Sequence, residues 1–409
     1  MIYRLLNTIQ HYAWGSPTAL GELYGYDNPG GDPMAELWMG AHPKAPSMIE
    51  KGGERTSLRD HIAQDPERAL GPRAGEHGGV LPFLFKILSA AAPLSIQVHP
   101  TIDQAREGYS REEHAGIDRS APNRNYRDEN HKPELICAIR PFWGLRGFRT
   151  VREITEEFTA VELSEADVSL ELPESEDDLR RFFRSLLELP EDERRELIAG
   201  AVSLSRGRWH GHGDALPEEG DPLARYYWVL RIADQYPGDV GILSPLILNV
   251  FSLRPGEATY QPAGVLHAYL HGVGAELMAN SDNVLRGGMT VKHVDVDELL
   301  KVGRFRSEEP IVLAGEPCRG DESAESGCAT IRYATPFSEF EFSRIVPGSE
   351  CELLVGVAQI LFCHEGPVRI IADGAELALH AGESVFVDAA TGMLRAHGSG
   401  ELFAARVPG

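Results

Sequence analysis

Leu94-Ser95-Ile96-Gln97-Val98-His99-Pro100 is an apolar run carrying two polar side chains two residues apart. Read as a strand, it sends Gln97 and His99 to one face, because positions i and i+2 of a strand share a side. One amide oxygen and one imidazole nitrogen then project together. His131-Lys132-Pro133-Glu134 offers a carboxylate to join them, and Pro262 to His267 offers a second imidazole. Gln97, His99, Glu134 and His267 form a mixed nitrogen and oxygen set that suits zinc or another borderline divalent ion. No one of these fragments is a specific metal motif. The bland alternative is a hydrogen-bonded Gln and His on a strand facing a polar cleft.

The chain has 409 residues, beyond one ordinary compact core, so two or three domains are expected. Hydrophobic residues make up 42% and charged residues 25%, the composition of a soluble globular protein. With 39 basic and 62 acidic residues the net charge is −23, which argues against nucleic acid or an anionic membrane as partner. Local cations inside a cleft can still bind an anionic small molecule. The first residues lack a signal peptide's apolar core, and no run of about 18 apolar residues appears. The five cysteines (Cys137, Cys318, Cys328, Cys351, Cys363) are scattered, so reduced thiols in a cytoplasmic setting are expected.

Strand signals surround the opening run. Leu81 to Leu88 and Leu94 to Val98 read as buried strands, and Asp103 to Ser110 as a helix. After Arg149 the period changes. Val151 to Phe158, Glu176 to Ser205 and Arg225 to Gln235 predict helices, with Leu179, Phe182, Phe183, Leu186 and Leu187 on one stripe and a restart at Pro190-Glu191-Asp192. The His-rich run at 206–212 reads as a surface loop. Strand character returns over Ile242 to Leu253 and near Thr259 and Tyr260, and a short helix is expected over Asp295 to Lys301. Residues 315–328 read as a polar linker. From Thr330 to Val407 short apolar runs alternate with turns, the pattern of a β-sandwich or barrel.

Seven ordered blocks carry a family resemblance. They are Ala35 to Ser47, Leu81 to Ser89, Leu94 to Pro100, Asn130 to Glu134, Tyr236 to Asp239, Pro262 to Leu270 and Ser281 to Gly288. With them the chain resembles the type I phosphomannose isomerases of the cupin superfamily, over most of residues 1–310. The resemblance implies a mainly β fold with a helical insert: a cupin-type jelly-roll catalytic domain (1–150 and 236–314), a helical insert domain (151–235) and a C-terminal degenerate jelly roll (315–409). It implies one zinc ion per chain on Gln97, His99, Glu134 and His267, an essential arginine at Arg286, and interconversion of mannose 6-phosphate and fructose 6-phosphate, feeding mannose metabolism and GDP-mannose synthesis. Arg146, Gln261 and Val265 depart from the residues usual in the family at those places, and Gln10 to Gly15 is a loose match.

Moving a carbonyl between C1 and C2 needs a base, an acid and a cation beside the developing oxyanion of a cis-enediol. Glu276 is the leading base candidate, and its alternative is an ion-paired glutamate. His131 and Lys132 are rivals, His131 having a hydrogen-bonded structural role as its alternative. Arg286 can grip a phosphate or the enediolate, or else pair with Asp282. Lys132 and Lys292 add positive charge, and Ser95 adds a hydroxyl for the phosphate. The competing readings are a sugar-phosphate-binding cupin without catalysis and an iron-dependent cupin dioxygenase. The partner expected is a small sugar phosphate. The sequence leaves the oligomeric state open, a monomer included.

Overall fold

The computed structural model describes residues 1–51, 53–161, 168–318 and 328–408. It is mostly antiparallel sheet with helices attached, and among the described residues the strands form sheets of nine, ten and four strands. The strands that position the candidate site belong to the ten-stranded sheet.

The centre of that sheet is the 13-residue strand His267–Ala279. Its second half pairs with Phe83–Ala90 on one side and Glu134–Ala138 on the other. Its first half pairs with Phe142–Phe148 and with Gln97–Val98. A register shift between Tyr269 and His271 marks the bend. Gly272 permits it: the backbone has φ 127°, and a Cβ there would lie 2.5 Å from the Pro141 carbonyl oxygen. One strand thus serves two neighbourhoods, with His267 at its start and Glu276 near its end.

The nine-stranded sheet belongs mainly to the C-terminal part, but Ile2–Leu6 pairs with Ser384–Val387 inside it, so the two ends of the described chain share a sheet. The two large sheets bury a common core. Leu37, Phe83, Phe85, Ile87, Leu135 and Leu277 meet Phe342, Ile360, Phe362 and Phe403, with ring centroids of Phe85 and Phe342 6.1 Å apart. Burial of this apolar area fixes the outer face of the ten-stranded sheet, which leaves the opposite face for chemistry.

The helices form where periodicity and caps predict. Val151–Thr159 opens on a Thr150/Glu153 capping box, Leu179–Leu187 buries Phe182, Phe183 and Leu186, Glu191–Arg208 follows Pro190, and Ala224–Gln235 comes after it. Their buried faces pack with Ile96, Val98, Leu145 and Leu266 in one core, beside the opening run. Ile102–His114 and Val296–Val302 also appear, capped by Thr101 and Asp295.

Several sequence expectations need correction. Over 242–253 only Leu248–Leu253 is strand. Val240–Leu243 is a 3-10 turn and Ser244–Ile247 helical, because Asp239 accepts from Gly241 N at the turn's start and Pro245 presets the next. The opening run is strand only over Gln97–Val98, its Ile96 being tied instead to Gly287 and Gly288 through main-chain bonds. The helix Glu191–Arg208 takes the first residues of the 206–212 run out of the loop. Within 315–328, Glu316–Pro317 is a short strand on Ala329–Tyr333, and 319–327 lies outside the described residues. Cys328 and Cys351 form a disulfide, against the reduced reading; folding brings their Cα atoms to 5.1 Å, a nearness that 23 residues of separation concealed. Cys137, Cys318 and Cys363 are free thiols. Among the described residues, no helix is long and apolar enough to cross a membrane.

Candidate metal centre and surrounding cleft

His99, Glu134 and His267 converge, each buried, with ligand atoms all within 4.8 Å of one another. Register brings them there. Gln97 lies opposite His267, and Glu134 opposite Met278 further along the same strand. Residues directly opposite in an antiparallel pair share a face.

The outer hydrogen bonds of the two imidazoles fix which nitrogen faces outward. His99 Nδ1 is 2.9 Å from the Asn283 carbonyl oxygen, and His267 Nδ1 is 2.9 Å from the Val265 carbonyl oxygen. A carbonyl only accepts, so each Nδ1 carries the proton and donates. Each Nε2 then points inward, 3.3 Å from a Glu134 oxygen: His99 to Oε1 and His267 to Oε2. His99 Nε2 has no hydrogen-bond partner among the described residues, and a bare ring nitrogen facing a carboxylate oxygen is repelled by it. Burial foremost, and Lys132 next, push the His99 imidazole down to about 4, which keeps it neutral near pH 7. Burial pushes the Glu134 carboxyl up, but the Lys132 ammonium leads the opposing influences that hold Glu134 well below the usual carboxylate range. Two imidazoles anchored through outward Nδ1–H groups, with Nε2 turned towards an ionised carboxylate, are the donor set of a divalent cation site. Gln97 is half-buried, in register with His267 on one side and Arg286 on the other.

Lys132 is buried and ion-paired with Glu134. Glu276 is the ion-paired glutamate allowed for in its alternative reading, yet it lies on the same sheet face as Glu134, opposite Ile136 and two residues from Met278. Its Oε2 accepts from Lys86 Nζ at 2.8 Å, Lys86 reaches Glu36 Oε1 at 3.4 Å, and Trp38 Nε1 donates to Glu36 Oε2 at 2.7 Å. Burial is the main reason the Glu276 carboxyl lies above its ordinary value, with Lys86 opposing and Glu134 and Glu36 adding to the rise. Burial alone would lower the Lys86 ammonium; Glu276 and Glu36 raise it instead.

Arg286 is half-buried, and its Asp282 alternative fails: Asp282 Oδ1 takes Lys44 Nζ at 2.8 Å. Among the described residues, neither Arg286, Arg127 nor Lys292 has an ion pair or a side-chain hydrogen bond. Partial burial first, then Arg127, lowers the Arg286 guanidinium, and partial burial, Arg286, Arg127 and Lys44 together lower Lys292. Unpaired cations crowded together fit an anion. Arg286, Gln97 and His267 stand in one cross-strand row, two strand spacings from end to end, or about 10 Å. Ser95 is half-buried on the approach to this row. His131 points elsewhere, with Nε2 2.7 Å from Glu339 Oε1 of the C-terminal part.

Sequence reasoning missed Lys86, Glu36, Arg127 and Asn283. Lys86 had a signal, a lone cation inside Phe83-Leu84-Phe85-Lys86-Ile87-Leu88. Asn283 had none that spacing reveals. Fully buried, it accepts from Arg127 N at 2.7 Å and donates to the Asp128 and Asn130 carbonyls at 2.8 Å, while its own carbonyl holds His99.

Comparison with known proteins agrees with this geometry. Residues 2–151 match the model of the phosphomannose isomerase type I catalytic domain. The mannose-6-phosphate isomerase of Escherichia coli (strain K12) is 40% identical over 403 residues, covering 98% of each chain. That of Homo sapiens is 33% identical, covering 90% of this chain and 88% of its own. A zinc-bound crystal structure of mannose 6-phosphate isomerase superposes with TM-score 0.87 at 37% identity, covering 99% of both chains. A phosphomannose isomerase variant from Salmonella typhimurium gives 0.88 at the same identity and coverage. Near-full-length identity at this level, over a site whose donors are already in place, shows that the chain belongs to the type I phosphomannose isomerases.

Proposed function

We propose that this chain is a zinc-dependent aldose–ketose isomerase interconverting D-mannose 6-phosphate and D-fructose 6-phosphate through a cis-enediol. The observation that carries the reading is the convergence of two inward-pointing imidazole Nε2 atoms, each 3.3 Å from a Glu134 oxygen. It is supported by the family and by the zinc-bound neighbour. His99, Glu134 and His267, with Gln97 as fourth donor, would hold one zinc ion. Bound there, zinc supplies Lewis acidity beside the carbonyl of the open-chain sugar.

The remaining work falls to side chains. Glu276 takes the proton from C2 of the aldose and returns it at C1, while the hydroxyl proton passes from O2 to O1. Lys86 favours the carboxylate form of Glu276 that accepts the proton. Lys132 adds positive charge next to Glu134, near the enediolate. Arg286, Arg127 and Lys292 receive the phosphate, with Ser95 as a further donor. His131, engaged with Glu339, is given no proton-transfer role.

The fold reading that accompanies this is a cupin-type jelly roll over 1–150 and 236–314, a helical insert over 151–235 and a degenerate jelly roll over 315–409. Its support is the antiparallel pairing around His267–Ala279 and the face-to-face core. A cytoplasmic setting goes with a phosphorylated substrate, whose charge keeps it from crossing bilayers.

The test is formation of fructose 6-phosphate from mannose 6-phosphate with and without a chelator, followed by zinc re-addition. Turnover lost on chelation and regained with zinc is expected. No turnover by zinc-loaded protein overturns the substrate assignment, and turnover after complete zinc removal overturns the metal's role.

A further inference from the structure

One buried polar side chain near the metal centre has no partner. Gln261 is 0% exposed, and neither its Oε1 nor its Nε2 has a hydrogen-bond partner among the described residues. A buried carboxamide with all its hydrogen-bonding capacity unused is costly to keep and calls for a cause.

Its position supplies one. Gln261 ends the strand Ala258–Gln261 and lies directly opposite Glu134. Alternation along the strand sets its direction. Ala258 packs in the core shared with the C-terminal sheet, and the Tyr260 ring contacts Phe337 of that part at 5.5 Å between centroids. Gln261 therefore faces the other way, on the Glu134 side. Met278 lies opposite Glu134 on its other flank and offers no hydrogen-bond donor there. Lys132 Nζ donates to Glu134 Oε1 and the Tyr269 hydroxyl makes a long 3.4 Å bond to Oε2; on the cross-strand row itself Gln261 is the group able to add a further donor.

We propose that Gln261 is a positioning residue of the metal centre: its carboxamide donates to Glu134 when the ion is bound and fixes that carboxylate as a ligand. The inference rests on the metal reading above.

The experiment is zinc affinity by chelator competition on the full-length protein, with the visible spectrum of the cobalt-substituted form as second readout. Gln261→Leu and Gln261→Met preserve size and remove the amide. Each is expected to weaken zinc about 10- to 100-fold, the usual effect of losing a hydrogen bond to a metal ligand, and to change the cobalt bands. Thr259→Val is the matched control. Thr259 is another fully buried unpartnered polar group on the same strand, opposite Ile136 and not Glu134, and zinc affinity is expected to stay within twofold. If either Gln261 variant folds and binds zinc within twofold of the wild type with unchanged cobalt bands, the proposal is overturned; a higher melting temperature in that variant would mark Gln261 as a merely tolerated buried amide. A wild type that binds no zinc overturns the metal reading and this inference with it. Tight wild-type binding with unaffected variants overturns this inference alone.

Discussion

Replacing Lys86 with methionine probes the charge balance of the cleft most directly. Lys86 Nζ sits 2.8 Å from Glu276 Oε2 and 3.4 Å from Glu36 Oε1, and all three side chains are buried. Methionine fills a similar volume and removes the cation. Glu36 keeps the Trp38 indole donor at 2.7 Å; Glu276 loses its ion-pair partner. Breaking a buried ion pair by removing one partner costs about 3–5 kcal/mol, because a buried charge is left uncompensated. Protonation offers an escape. Burial already raises the Glu276 carboxyl above its ordinary value against the opposing pull of Lys86, so the variant raises it further. A carboxyl whose folded pKa lies above its unfolded value stabilises the fold fully at pH below the unfolded value, and loses that contribution as pH rises through the folded one. The stability gap between Lys86→Met and wild type should therefore be smallest near pH 5 and widest near pH 8. Urea unfolding of metal-free protein, followed by tryptophan fluorescence at both pH values, measures it. Adding Glu276→Leu to Lys86→Met should recover most of the loss, since removing both members of a buried pair is often near neutral. A gap below about 1 kcal/mol, or one equal at the two pH values, would refute the account of this network.

Other consequences follow from the same geometry. Asn283→Ala removes the side chain that orders the turn whose carbonyl holds His99, and should weaken zinc about 10-fold or more in chelator competition while leaving the cations of the cleft in place. Arg286→Gln deletes one of three unpaired cations and should lower kcat/KM for the sugar phosphate about 10- to 100-fold, the worth of one charge-assisted hydrogen bond, with zinc content unchanged. If Glu276 is the base, kcat/KM should fall as pH drops through its raised pKa, and zinc-loaded Glu276→Gln should lose turnover; near-normal turnover in that variant would remove Glu276 from the chemistry.

The sequence by itself determined the donor types and most local structure. The convergence of His99, Glu134 and His267 was legible because a metal needs particular side chains, and chain chemistry is visible residue by residue. The helices after Arg149 were legible because their signal is short-range: a 3.6-residue stripe with Thr150, Pro190 and Asp295 at helix starts. Tertiary structure decided what depends on pairing between distant segments. The bend at Gly272 lets one strand place His267 and Glu276 in the same cleft. Register put Gln261 opposite Glu134, and Glu276 opposite Lys86. Asp282 went to Lys44, and His131 to Glu339, 208 residues away. Strand register is set by which faces are buried across the whole sheet, a property of the assembled core that no local window of sequence contains.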